Sequence, residues 1–301
     1  MTSKRKLTLF SLFLAGSLFM ASCESEPSQS SEQEVTAQEE VAGTDEVNEE
    51  QRENIKMIFY SIPSPVEMAS LIQESGSTYD ESLMNSTDNA KKYSSLRAQA
   101  INLGVYGADI SYAGMFEQNQ TTVNYMSSIQ NLSNSLGLSD IMNNQLIDRI
   151  SANKENKDSL LNIAAETYWT FNGYLKEDDR EDIASLVIAG GWIEGLHLAL
   201  SHCETNEGLL ATRVAEQKLS LSNLVALMEQ NASDKTADVT ADLARINAVF
   251  DQVNITRTPG ENKKNEDGVL ELGSTNDVEM SAETMAELKS VVAEIRGNYI
   301  Q

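Results

Sequence analysis

Residues 183–203 read IASLVIAGGWIEGLHLALSHC, the most apolar stretch in the body of the chain. The 18 residues from Ile183 to Leu200 raise the question of a membrane span, which needs about 20 apolar residues. Glu194, His197 and the glycines at 190, 191 and 195 argue against one, because ionisable groups are costly at the centre of a bilayer. The stretch therefore reads as the central buried helix of a larger body. Gly191, Gly195 and Ala199 recur every four residues. On a helix they form a slim stripe against which a neighbouring helix can approach closely.

Outward from this helix, proline is the clearest signal. Pro63 and Pro65 stand near the start of the body, the next proline is Pro259, and none interrupts 66–258. Alanine, leucine, glutamate, methionine, glutamine and asparagine dominate and β-branched alternation is scarce, which favours helix. The expected fold is an all-α antiparallel bundle of about 8–10 helices, near 49–60, 65–74, 90–116, 119–136, 140–152, 157–176, 180–203, 206–230, 234–252 and 281–298. Ser64-Pro65-Val66-Glu67 combines an N-cap serine, proline at the first helical position and a glutamate three after the cap, a capping box. Asp178-Asp179, Ser139, Ser233 and Ser281 are further expected starts. The stretch 253–280 carries Pro259, Gly260 and a charged run, and reads as an exposed loop, with a brief alternation at Val269–Leu272 that suits a short strand.

Before the body, residues 24–50 contain ten Asp or Glu and no Lys, Arg or aromatic residue. Such a segment buries too little apolar surface to offset its ordering entropy, so it reads as a disordered, charge-extended tether. Upstream, Lys4-Arg5-Lys6 precedes an apolar run from Leu7 to Met20, the charge and length pattern of a signal peptide. Met20-Ala21-Ser22-Cys23 follows. This resembles the lipobox of bacterial lipoproteins, with methionine where leucine is usual. The resemblance implies cleavage before Cys23 and acylation of its thiol by diacylglycerol and palmitate-type chains, which anchor a protein stably without a spanning helix. Glu24-Ser25-Glu26 resembles the surface-export signal of lipoproteins in Bacteroidota. Length, helix number and tether together resemble that group's uncharacterised all-helical lipoproteins. These resemblances imply a signal peptide at 1–22, an anchor and tether at 23–50, a helical domain at 51–301, and attachment to an outer membrane, facing the periplasm or the outside.

Removal of the signal peptide leaves 19 basic residues against 46 acidic ones, a formal charge of −27. Nucleic acid and anionic headgroups would repel such a protein, so neither is an expected partner; a protein of the envelope is. Cys203 is the only other cysteine, and is expected as a small buried apolar residue. His202 at a helix end is expected to favour the helix dipole through partial positive charge. Tyr168, Trp169, Phe171, Tyr174 and Trp192 are expected in the core.

For chemistry, Glu194 and His197 stand three apart on one helical face. Glu-x-x-His is the spacing of di-iron bundles, but those need two such motifs and two more carboxylates, and the chain has two histidines and a single copy. A speculative ligand or metal site would add Asp109, from YGADISYAGMF, and Glu166, from AAETYWTFNGY. Walker, dinucleotide, nucleophile-elbow and CxxC motifs are missing from the sequence. The leading expectation is a non-enzymatic interaction or assembly module with no cofactor. The alternative is a small-molecule or metal-binding module using Glu194 and His197.

Overall fold

The computed structural model describes residues 62–153 and 180–258, single positions between 156 and 175, the pairs 263–264 and 270–271, and residues 275–301. The signal segment, Cys23, the tether and the helix expected at 49–60 lie outside the described residues. The protein is all-α and multi-helical. The described helices are α1 (Pro65–Glu74), α2 (Leu96–Met115), α3 (Asn119–Ser135), α4 (Asn144–Ala152), α5 (Glu181–His202), α6 (Leu209–Gln230), α7 (Ala237–Phe250) and α8 (Ala282–Tyr299). Two short 3-10 turns, Glu81–Leu83 and Thr87–Lys92, connect α1 to α2. The described positions 159, 163, 166, 167, 170, 174 and 175 are also helical.

Local chemistry sets several boundaries. Ser64 Oγ accepts from the Glu67 N–H at 3.2 Å with Pro65 at N1, and Ser281 Oγ accepts from the Thr284 N–H at 3.0 Å. Ser95 caps α2 through the Ala98 N–H, so α2 starts at Leu96 rather than near 90. Asn143, not Ser139, caps α4 through the Leu146 N–H. Ser233 leaves the capping position of α7 to Thr236 and bonds Asp182 on α5 instead. Arg180 stands at the N-cap of α5; Asp178 and Asp179 lie outside the described residues.

Among the described residues, α5 alone is long and apolar enough to cross a membrane, yet 83 % of its most apolar window is buried within the protein. A helix apolar on every side belongs in a core, and α5 lies at the centre of this one. It packs backbone to backbone on α2. A Cβ added to Gly104 would overlap the Val187 carbonyl, and one added to Gly190 would overlap the Ile101 carbonyl. Gly191 lies between the Gly104 carbonyl of α2 and Pro65 of α1, and Gly195 faces Met68 of α1. The expected slim stripe therefore serves both neighbours, Gly191 touching α2 and α1 and Gly195 touching α1, while the tightest crossing uses Gly190 and Gly104.

Contacts fix the helix directions. Ile101 meets Gly190, Gly104 meets Val187 and Gly191, and Tyr112 meets His202. The numbers rise together, so α2 and α5 run parallel. The pairs α5–α6 (Trp192 with Gln217, Ser185 with Asn231), α5–α8 (Glu194 with Arg296, Cys203 with Lys289) and α7–α8 (Asp242 with Tyr299, Gln252 with Glu287) run antiparallel. Chain neighbours joined by short connections turn back on each other. α2 and α5 are not chain neighbours, and the helical segments between them return the chain to the same end.

The stretch expected as a loop at 253–280 holds an antiparallel ribbon. β1 (Asn254–Thr258) pairs with β4 (Thr275–Glu279), Asn254 opposite Glu279 and Thr258 opposite Thr275; β2 (Lys263–Lys264) pairs with β3 (Leu270–Glu271). Ile255 and Val278 lie opposite each other and pack on the core. The Lys218 ammonium donates to the Val253 carbonyl and the Asn206 amide to the Met280 carbonyl, which pins both strands at the base of the ribbon. Tyr174 and Trp192 join the core as expected, and Cys203 is buried with its thiol pushed up to about 11 by burial.

Candidate functional site

Three of the four candidate residues come together; the fourth does not. Asp109 on α2 and Glu194 on α5 are fully buried. His197 lies one turn beyond Glu194, with its ring on the Leu83 carbonyl. Glu166 stands apart, its carboxylate 2.5 Å from Arg149 on an exposed surface beside Asn153, Ser159 and Ile163. The Arg149 hydrogen bond holds that carboxyl below its ordinary range.

The residue that organises the cluster is Arg296 of α8. Its Nε donates to Glu194 Oε2 at 2.8 Å and its Nη2 to Glu194 Oε1 at 2.8 Å. This is the forked, two-point geometry that guanidinium offers a carboxylate. Nη2 also donates to the Leu83 carbonyl at 2.9 Å. Glu194 is 0 % exposed and Arg296 11 %. Both Glu194 carboxylate oxygens are thereby engaged by the guanidinium. Among the described residues, no three His, Cys, Asp or Glu side chains are arranged to hold a metal ion.

Polar groups continue outward from this pair. The Asn85 N–H donates to Asp109 Oδ2 at 3.1 Å, and the Asn85 amide donates to Tyr93 Oη and Asn102 Oδ1. Asn102 donates to the Tyr299 carbonyl at 2.8 Å and Tyr93 to the Ile300 carbonyl at 3.2 Å. The unpaired carbonyls at the end of α8 are thereby satisfied by α2 and the segment before it. Burial raises the Asp109 carboxyl well above its ordinary value, and the Glu194 charge adds to this. Burial lowers His197, with the Arg296 charge acting the same way and Glu194 opposing.

His202 forms a second, smaller arrangement at the end of α5. Its Nε2 lies 2.8 Å from Tyr112 Oη, which also accepts the Asp80 N–H at 2.9 Å. Tyr79 and Phe116 pack against the Tyr112 ring. Burial lowers the His202 pKa, so this ring serves as a neutral hydrogen-bonding partner rather than the positive helix-end charge the sequence suggests.

The surface offers one feature that sequence periodicity passes over. From Gln118 to Ser139 there is no ionisable side chain except Tyr125, which is buried. The solvent face of α3 presents Gln120, Val123, Asn124, Ser127, Asn131 and Asn134, and Val123 is 61 % exposed.

The class defined here is an all-α domain with a buried carboxylate–guanidinium cluster joining its last helix to its two central ones. No family model, curated protein or solved structure matches the chain.

Proposed function

We propose that the protein is a lipid-anchored lipoprotein of the outer membrane, and that its helical domain is a non-enzymatic docking module for another envelope protein. The observation that supports this reading is the solvent face of α3. On a chain of −24 formal charge, a helix face without ionised groups is the surface that a protein can cover without desolvating or confronting charge. Its amides both donate and accept hydrogen bonds, and Val123 supplies an apolar centre. Two of the candidate ligand carboxylates are already engaged within the protein. Glu194 is buried and paired with Arg296, and Glu166 is paired with Arg149 at the surface.

Two measurements test the proposal. Replacing Cys23 by serine should shift the protein from the membrane to the soluble fraction; a variant that stays membrane-bound overturns the anchor. Recovery of the tagged protein from gently solubilised native membranes, followed by mass spectrometry, should yield a stoichiometric partner. Val123→Asp with Asn131→Asp should lose that partner at least about tenfold, since burying an unpaired carboxylate at an interface costs more than about 1.4 kcal/mol, while melting is unchanged. Retention of the partner by this variant, or a partnerless wild type, overturns the docking assignment.

A further inference from the structure

The buried cluster holds two carboxyl groups and one guanidinium, which leaves one carboxyl without a counter-charge. Arg296 commits Nε and Nη2 to Glu194 and shares Nη2 with Leu83. Asp109 receives the Asn85 N–H on Oδ2, while Oδ1 is fully buried and meets no hydrogen-bond donor. The neighbour within hydrogen-bonding reach of Asp109 is the Glu194 side chain. Two carboxylates accept and cannot donate to each other, whereas a carboxylic acid donates to a carboxylate.

We propose that Asp109 carries a proton which it donates to Glu194, and that this one proton is the latch that holds α8 against α2 and α5. The acid supplies the missing donor and brings the cluster to neutrality, with one carboxylate against one guanidinium. When the O–H bond breaks and the proton passes to solvent, two negative charges share one positive charge in a dry site. Water then enters, and the last turns of α8 separate first because Arg296 and the Tyr299 and Ile300 carbonyls are held there. The inference is independent of the docking assignment.

Other titratable groups around Asp109 do not supply the compensation. Tyr106 on its own helix, Tyr125 on α3 and Tyr79 before α2 are all raised by burial and stay neutral. His197 on α5 is lowered and is neutral above about pH 6.5. Arg296 on α8 stays charged. The sign follows. Asp109 binds a proton when α8 is closed and releases it when α8 opens, so opening is favoured as pH rises towards the closed-state pKa. In that window the opening equilibrium grows about tenfold per pH unit.

The test is hydrogen exchange of the full chain, followed upward from about pH 4.5, just above the ordinary carboxyl range, and corrected for intrinsic exchange. Amides of residues 292–300 should lose protection about tenfold per pH unit, while those of α6 hold theirs. Asp109→Asn, whose amide donates permanently to Glu194, should make α8 protection independent of pH. An unchanged slope in that variant, or a flat slope in the wild type, overturns the latch. Infrared spectroscopy of the wild type supplies a reading that does not depend on the variant's folding. A protonated-carboxyl band is expected to persist at mildly acidic pH, where ordinary carboxyls are already ionised, and its absence overturns the proposal.

Discussion

Gly104→Ala and Gly190→Ala should each lower the stability of the domain by about 3 kcal/mol or more, at the upper end of overpacking costs. In a domain of this size that is a fall of about 10 °C in melting temperature. The reason is the identity of the obstructing atoms. A new methyl at Gly104 meets the Val187 carbonyl and comes within 2.6 Å of the Gly191 nitrogen, and one at Gly190 meets the Ile101 carbonyl. No rotamer change relieves a clash with backbone, so α2 and α5 must move apart along their length and leave voids beside Ile101 and Ile193. Gly107, on the same helix, is the internal control because a Cβ there meets nothing within 4 Å. Gly107→Ala should raise stability by about 0.5–1 kcal/mol through helix propensity alone. Thermal melts followed by circular dichroism decide the matter. Equal melting of the 104 and 107 variants would mean that the helices are not in backbone contact.

That contrast shows what the sequence makes legible. The apolar run around Trp192 announces a buried helix, and small residues within it announce close packing. Which small residue meets which backbone depends on rotation about the helix axis, which a four-residue repeat does not determine. Gly191, Gly195 and Ala199 read as the contact stripe, but Gly190, one residue away, makes the tighter approach. Direction is hidden for a similar reason. Short connections make successive helices antiparallel, whereas the parallel run of α2 and α5 depends on how the intervening segments close. In sequence the ribbon at 254–279 reads as a loop with one short strand near Val269–Leu272, which β3 matches, because the charged run after Pro259 outweighs the β-branched residues Ile255, Thr256, Thr258, Thr275 and Val278. Tertiary context reverses that balance. Ile255 and Val278 pair across the ribbon and bury against the core, which no local window records.

The site was half legible. Glu194 and Asp109 stand out as acids in apolar surroundings, and the structure brings them together. Glu166 shares that aromatic setting in the sequence, yet its side chain faces out to Arg149. Arg296 is less conspicuous, although the pattern of α8 contains it. Met285, Leu288, Val292 and Tyr299 are buried at spacings of three, four and seven, and residue 296 completes that face. An arginine there reads as an exposed residue in a chain whose other bases are mostly solvated. A buried acid of one sign on α5 requires a buried base elsewhere, and a base on the inner stripe of α8 is the signal that answers it.

Arg296→Met follows from that pairing and should be the most damaging single change in the cluster. Methionine fills much of the volume, so the loss is electrostatic rather than a cavity. It leaves Glu194 and Asp109 in a dry site with no cation, and breaking a buried pair in this way costs about 3–5 kcal/mol at neutral pH. Much of the loss should be recovered on acidification, because Glu194 can then take up a proton beside the already protonated Asp109 and both bond as neutral acids. A group forced to bind protons in the folded state contributes stability at low pH and loses it as pH rises. Opposing this, burial lowers His202 in the folded protein, so its contribution falls away below about pH 6.5. The variant's stability should therefore peak at mildly acidic pH and fall steeply towards neutrality. Glu194→Ala should be milder, because Asp109 can ionise and take over as the counter-ion of Arg296. Glu194→Leu combined with Arg296→Met should be milder still, since no uncompensated charge remains and the apolar side chains refill the space. Denaturant unfolding of the three variants from mildly acidic to mildly alkaline pH separates these cases. If Arg296→Met shows the same loss at every pH, the guanidinium acts through packing and its hydrogen bond to Leu83, not as the counter-charge that allows two acids to share the core.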